Sequence, residues 1–220
     1  MPPVTRPDAV LFDCDGVLAD SEGLVNRMVA LDLTARGWPL TPAQARETFL
    51  GMALPDMMPM IRARCGTLPA DWGQALSRRI AQALHDEVEA IPGAVAVLRA
   101  VAAAGIPLAV ASNSTRGELR AKLARLDLAN FFGDRVFTYE DVPRPKPAPD
   151  MYLAAAAACG AAPGACVVVE DSLLGARAGI AAGCRVMGFA QETDARVLAA
   201  VGAVPFATMA ELPALLGILD

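Results

Sequence analysis

Short apolar runs alternate with helix-length stretches along most of this chain. The runs "AVLF" (9–12), "IPLAVAS" (106–112), "CVVVE" (166–170) and "CRVMGF" (184–189) are largely free of polar alternation. A weaker run, "DRVFTY" (134–139), reads as an edge-like strand. Helical patterns fill 94–104, 115–127, 149–159 and 172–182. Strands that are apolar on both faces must be covered on both faces. The pattern therefore predicts an α/β fold with a doubly wound parallel sheet.

Two helix boundaries are explicit. In "PAPDMYLAAAAACG", Pro147 and Pro149 stand near the entry and Gly160 follows the end. In "EDSLLGARAGIAAGC", Ser172 can cap the start and Gly183 close the helix. Gly175 and Gly179 inside it cost about 1 kcal/mol each relative to alanine, and their spacing predicts close packing against a neighbouring element.

Residues 20–88 break the alternation. They read as helical throughout, with interruptions at "RGWPLTP", "GMALP" and "CGTLPAD". The simplest account is a helical cap at 20–88, inserted after the first strand of a core formed by 1–19 and 89–220. "EAIPGA" (89–94) is then the hinge back into the sheet.

Bulk properties narrow the function. No apolar run reaches the roughly 18 residues needed to span a bilayer. "MPPVTRPD" has no signal-peptide core, so a cytoplasmic protein without a membrane partner is expected. The net charge of −5 argues against a nucleic-acid partner. The five cysteines, Cys14, Cys65, Cys159, Cys166 and Cys184, are scattered without a CxxC pair and read as small apolar residues in a reducing compartment. His85, the one histidine, has no cysteine near it to form a zinc site.

In open α/β sheets, ligands gather beyond the carboxyl ends of the strands. Asp13 and Asp15 follow the first run, Ser112, Asn113 and Ser114 the second, and Glu170 and Asp171 close the third. Lys146, in "PRPKPAPD", precedes a helix that can project to the same rim. In extended chain, Asp13 and Asp15 share a face while Cys14 points away, and Gly16 permits a sharp turn. Clustered carboxylates repel unless a hard divalent cation lies among them, and magnesium suits a site of few carboxylates, several waters and a phosphate oxygen. Lys146, the Ser112 hydroxyl and backbone N–H groups near Asn113 are the complementary donors for a phosphate.

These four segments, "FDCDGVLADSE", "VASNS", "RPKPAPD" and "VVVEDSLLGARAG", resemble in order and spacing the motifs of the haloacid dehalogenase superfamily of phosphohydrolases. The helical insert resembles the small cap of its β-phosphoglucomutase-like and phosphoglycolate-phosphatase-like members. The overall layout is most similar to bacterial sugar-phosphate phosphatases, including those acting on 6-phosphogluconate. The resemblance implies that Asp13 is a nucleophile forming an aspartyl-phosphate, and that Asp15 is the general acid and base. Magnesium would be held by Asp13, the Asp15 carbonyl and Asp171, with Glu170 a ligand or its neighbour. Ser112, Asn113 and Lys146 would bind phosphate. The implied partner is a small phosphorylated metabolite, a sugar phosphate or phosphorylated sugar acid, and a monomer is expected.

Departures from relatives exclude some chemistry. Residues 20–90 contain no lysine, so the Schiff-base chemistry of phosphonate-cleaving relatives is absent. Asp15 distinguishes the chain from true dehalogenases. Val25 stands where the sugar-phosphate mutases carry a cap histidine, which disfavours the alternative of a mutase. Leu54, in "LGMALPDMM" (50–58), stands where some relatives carry an arginine. Met52, Met57 and Met58 are expected to pack the cap or line its cleft. Arg27, Arg46, Arg62 and Arg64 remain candidates to grip a distal anionic group.

Overall fold

The computed structural model describes residues 6–218. Residues 1–5, part of the stretch read as lacking a signal core, and 219–220 lie outside the described residues. The chain begins with β1 (Ala9–Phe12) and β2 (Ala19–Asp20), then α1 (Glu22–Ala35), α2 (Pro42–Phe49), α3 (Leu54–Cys65) and α4 (Trp72–Glu87). It returns through β3 (Glu89–Ala90) to α5 (Ala94–Ala103), β4 (Leu108–Ser112), α6 (Arg116–Arg125), α7 (Ala129–Phe132) and β5 (Val136–Thr138). The last part holds α8 (Asp150–Ala158), β6 (Cys166–Glu170), α9 (Leu173–Ala181), β7 (Arg185–Phe189), α10 (Ala195–Ala200), β8 (Val204–Phe206) and α11 (Leu212–Leu215).

Six strands form a parallel sheet in the order β5-β4-β1-β6-β7-β8. Alternation along β1 sends Val10 and Phe12 into one core layer, with Val97 and Leu98 of α5 and Leu119 and Leu123 of α6. Ala9 and Leu11 enter the other, with Met151 and Tyr152 of α8 and Ala176 of α9. A Cβ on Gly179 would come within 2.7 Å of Val186 and 3.2 Å of Val168. Glycine there lets α9 lie against β6 and β7, the close packing that the spacing predicts. Ser172 caps α9, its hydroxyl accepting from the Gly175 N–H.

Strand β5 lies at one edge, as its weak pattern suggests. The opposite edge, β8, escapes the sequence pattern together with α7, α10 and α11. Each has at most six residues, too few to establish a period. The sheet reverses direction of growth at β1: the chain builds β4 and β5 on one side, then β6, β7 and β8 on the other. The register pairs Phe12 with both Val110 and Val169, so residues 13, 112 and 170 arrive at one rim. This switch point is where ligands bind in open sheets.

The four cap helices leave and re-enter through β2 and β3, which pair Ala19 with Ala90 and Asp20 with Glu89 in antiparallel sense. The predicted hinge thus carries a short ribbon. Inside the cap, Asp32 accepts hydrogen bonds from the Trp72 indole (2.7 Å), Arg36 (2.8 Å) and Arg79. Cap and core meet where Ser77 bonds Thr115 (2.7 Å) and where the Asn113 amide donates to the Gly51 carbonyl (2.8 Å). Three of the five free cysteines are buried and two half-buried, and His85 is exposed. Among the described residues, no helix is long and apolar enough to cross a membrane.

Candidate active site

Beyond β1, Asp13 is fixed by its own backbone, whose N–H donates to the Val169 carbonyl on β6 (2.9 Å). Its carboxylate is buried and accepts from the Lys146 ammonium at 2.7 Å. Lys146 also donates to the Ala111 carbonyl (2.8 Å) and to Glu170 (2.6 Å), and lies 4.8 Å from the centre of the Tyr152 ring. Its ammonium is therefore tied to the ends of β1, β4 and β6.

Glu170 is wholly buried and saturated. One oxygen takes Lys146 and the Tyr152 hydroxyl (2.7 Å), and the other takes the Ser172 N–H (3.2 Å) and hydroxyl (3.0 Å). Gly175 makes room for it: a Cβ there would fall 1.7 Å from a Glu170 oxygen. Asp171 is buried beside it, under the turn at Gly16. Gly16 has φ +71°, and a Cβ there would approach Asp171 to 2.2 Å, so both backbone and space call for glycine.

Asp13, Glu170 and Asp171 each offer an oxygen within 4.8 Å of the others. Burial pushes the Asp13 carboxyl up to about 8, against the pull of Lys146 and with the push of Glu170. Burial, then Glu170 and Asp13, drive Asp171 well above the ordinary range. Three carboxylates face one ammonium, and Asp171 belongs to none of the ion pairs among the described residues. If all ionise, two negative charges are left over. An all-oxygen site with that charge deficit fits a hard divalent cation.

Asp15, two residues on, has a different environment. One oxygen accepts from Lys122 and the Ser21 hydroxyl, the other from the hydroxyls of Ser112 (2.8 Å) and Ser114 (2.9 Å). Burial alone would raise its pKa, but Lys122 and the Ser21 and Ser112 hydroxyls hold it well below the ordinary carboxylate range. Lys122 is fully buried and also donates to Ser114 (2.8 Å), and its own pKa is raised because Asp15 outweighs the cost of burial.

One cleft opens onto this floor. Asp13, Asp15, Asn113, Lys146 and Asp171 line it, whereas Ser112 and Glu170 are wholly buried behind it. The Ser112 hydroxyl is engaged with Asp15 and accepts the Ser114 N–H (3.0 Å). The Asn113 side chain accepts from the Lys146 N–H (3.0 Å) and donates to its carbonyl (3.1 Å) as well as to Gly51, joining the lysine loop to the cap. Val25, Met52, Leu54 and Met57 line the cap side, and Met58 packs against the core behind it. Of the candidate arginines Arg27, Arg46, Arg62 and Arg64, none lines the cleft itself, and Arg46 stands at its margin, bonded to the lining residue Glu22. Arg27 pairs with Glu87, Arg46 with Glu22 and Glu192, and Arg64 lies over Trp38. Sequence reasoning assigned no role to Lys122, Ser21, Ser114 or Tyr152. The available signal for Lys122 was its rarity, since the chain has only two lysines.

A family model described as haloacid dehalogenase-like hydrolase matches residues 7–183. The chain is 31% identical to a 6-phosphogluconate phosphatase of Escherichia coli, over 96% of both chains. It is 36% identical to hexitol phosphatase A of the same organism, over 86% of both. Among solved structures, a HAD family hydrolase from Deinococcus radiodurans with bound phosphate and sodium is 36% identical, covers 98% of both chains and gives a TM-score of 0.76.

Proposed function

Because the chain belongs to the haloacid dehalogenase-like hydrolases, we propose that it is a magnesium-dependent phosphatase of small phosphorylated metabolites, working through an aspartyl-phosphate on Asp13. The substrate class is a sugar phosphate or a phosphorylated sugar acid, the class named for its phosphatase relatives. One observation carries this reading. Two carboxylates face one cleft from opposite electrostatic settings: Asp13 lies in the acid cluster, and Asp15 lies against Lys122 and three hydroxyls.

In the first half-reaction an Asp13 oxygen bonds to phosphorus as the bond to the alcohol oxygen breaks, and Asp15 gives that oxygen its proton. In the second, water attacks phosphorus, Asp15 takes the water's proton, and the bond to Asp13 breaks. Asp15 as it stands is set for the base role. A phosphate dianion arriving beside it raises its proton affinity and equips it for the acid role. Lys146 neutralises charge on Asp13 and on the transferring phosphoryl group, while Glu170, with Tyr152 and Ser172, holds Lys146 in place. Asp13, Asp171 and the Asp15 carbonyl would hold magnesium, which when bound neutralises phosphoryl oxygens and the excess carboxylate charge.

The test is phosphate release from a metabolite panel with and without magnesium, in wild type and Asp13→Asn. Release that needs the metal, and a loss of about a thousandfold or more in the variant, are expected. Substantial turnover by Asp13→Asn would sink the assignment. A mutase would instead convert a sugar 1-phosphate into its isomer with little free phosphate.

A further inference from the structure

The floor of the cleft is built for phosphate; its cap wall carries no charge of the kind a second anion needs. We infer that the cleft selects phosphomonoesters of uncharged alcohols and rejects substrates carrying a second anionic group. This rests on the phosphatase reading and narrows its substrate class by setting phosphorylated sugar acids and bisphosphates aside.

Besides Met52 and Met57, the wall includes Val25, Val29, Phe49, Leu54, Leu76 and Ile80, with Asn26 and Ser77 as neutral polar groups among them. Among the described residues no arginine lines the cleft, and Lys146 is its one basic side chain. That lysine is already engaged with Asp13 and Glu170 at the phosphate end. The cap's nearby cations are already paired with acids: Arg36 and Arg79 with Asp32, and Arg46, at the margin of the cleft, with the lining residue Glu22 and with Glu192. The charged side chains that join the wall are acids, Glu22 and, from α6, Glu118.

A carboxylate at the distal end of a substrate would give up its hydration against aliphatic side chains. Among the described residues it would meet no unpaired cation in the lining, since Arg46 at the margin is held by Glu22 and Glu192, and Glu118 would repel it. A hydroxyl in the same place loses less and can bond to Asn26 or Ser77, while the carbon chain covers the apolar wall.

The test compares kcat/KM for glucitol 6-phosphate and 6-phosphogluconate, a neutral and an acidic ester of equal chain length, with magnesium present. The neutral ester should win by about tenfold or more. Leu54→Arg, which places a cation on the wall, should move the ratio about tenfold toward the acid. Competition binding to Asp13→Asn should show the same order without turnover. Robust release with the acid equal or preferred would overturn the inference while leaving the phosphatase reading intact. No release from these esters or from p-nitrophenyl phosphate would overturn that reading, and the inference with it. The wild-type ratio decides the matter even if Leu54→Arg does not fold.

Discussion

The floor and the cap wall of the cleft are opposites. On the floor most polar side chains are bonded to one another: Lys146 and Lys122 are buried, Lys146 bonded to Asp13 and Lys122 to Asp15. The wall is mainly a set of aliphatic and aromatic side chains whose neighbouring arginines are already paired with acids. A buried polar network tolerates little change, because one lost partner strands a desolvated charge. An apolar wall tolerates exchange among residues of similar volume at a cost of less than about 1.5 kcal/mol. The floor can therefore keep one chemistry while the wall is free to fit different alcohols.

Lys122→Met should break the contrast most severely. It leaves Asp15 facing hydroxyls alone, and a loss of about 3 kcal/mol of stability is expected from denaturant midpoints. An unchanged midpoint would mean that Asp15 does not depend on the lysine. Gly175→Ala is the next largest. Alanine gains about 1 kcal/mol in helix propensity, but its methyl would displace the Glu170 carboxylate from four hydrogen bonds. Overpacking of about 1–3 kcal/mol plus those bonds wins, so the variant should melt below wild type by about 2 kcal/mol. A melting point at or above wild type would show that the floor yields at Glu170.

The smallest effect lies in the cap, behind the wall. Burial pushes the Asp32 carboxyl up, but its bonds from Arg36, Arg79 and Trp72 outweigh this and hold it below its ordinary value of 3.8. A carboxylate with a depressed folded-state pKa adds stability above its unfolded value, and that stability is lost as pH falls through the folded value. Asp32→Asn should therefore melt about 1 kcal/mol below wild type at pH 6, and the gap should close as pH drops below about 4. A gap that widened in acid would contradict the sign of the shift.

The floor was largely legible in the sequence because its groups sit at strand ends, where linear spacing and sheet register determine position. Asp13, Asn113 and Asp171 follow β1, β4 and β6 by one residue each, so recognising the strands placed them. Lys122 was not legible: it lies mid-helix, 107 residues from Asp15, and only the packing of α6 against the sheet brings its ammonium there. The short elements β8 and α10 failed for want of length. The direction of each cap arginine depends on which acid lies nearest in space, as with Arg46 between Glu22 and Glu192, and no periodicity encodes that. Val25 and Leu54, which the family resemblance set where some relatives carry a histidine and an arginine, both line the wall.

The central claim is that Asp13 carries the phosphoryl group, and chemical trapping tests it most directly. The enzyme is quenched during turnover, reduced with borohydride and digested, and the peptide containing residue 13 is weighed. An acyl phosphate is reduced to the alcohol, so homoserine at position 13 is expected in wild type and its absence in Asp13→Asn. Steady phosphate release with residue 13 recovered only as aspartate, or with the modification on another carboxylate, would contradict the account.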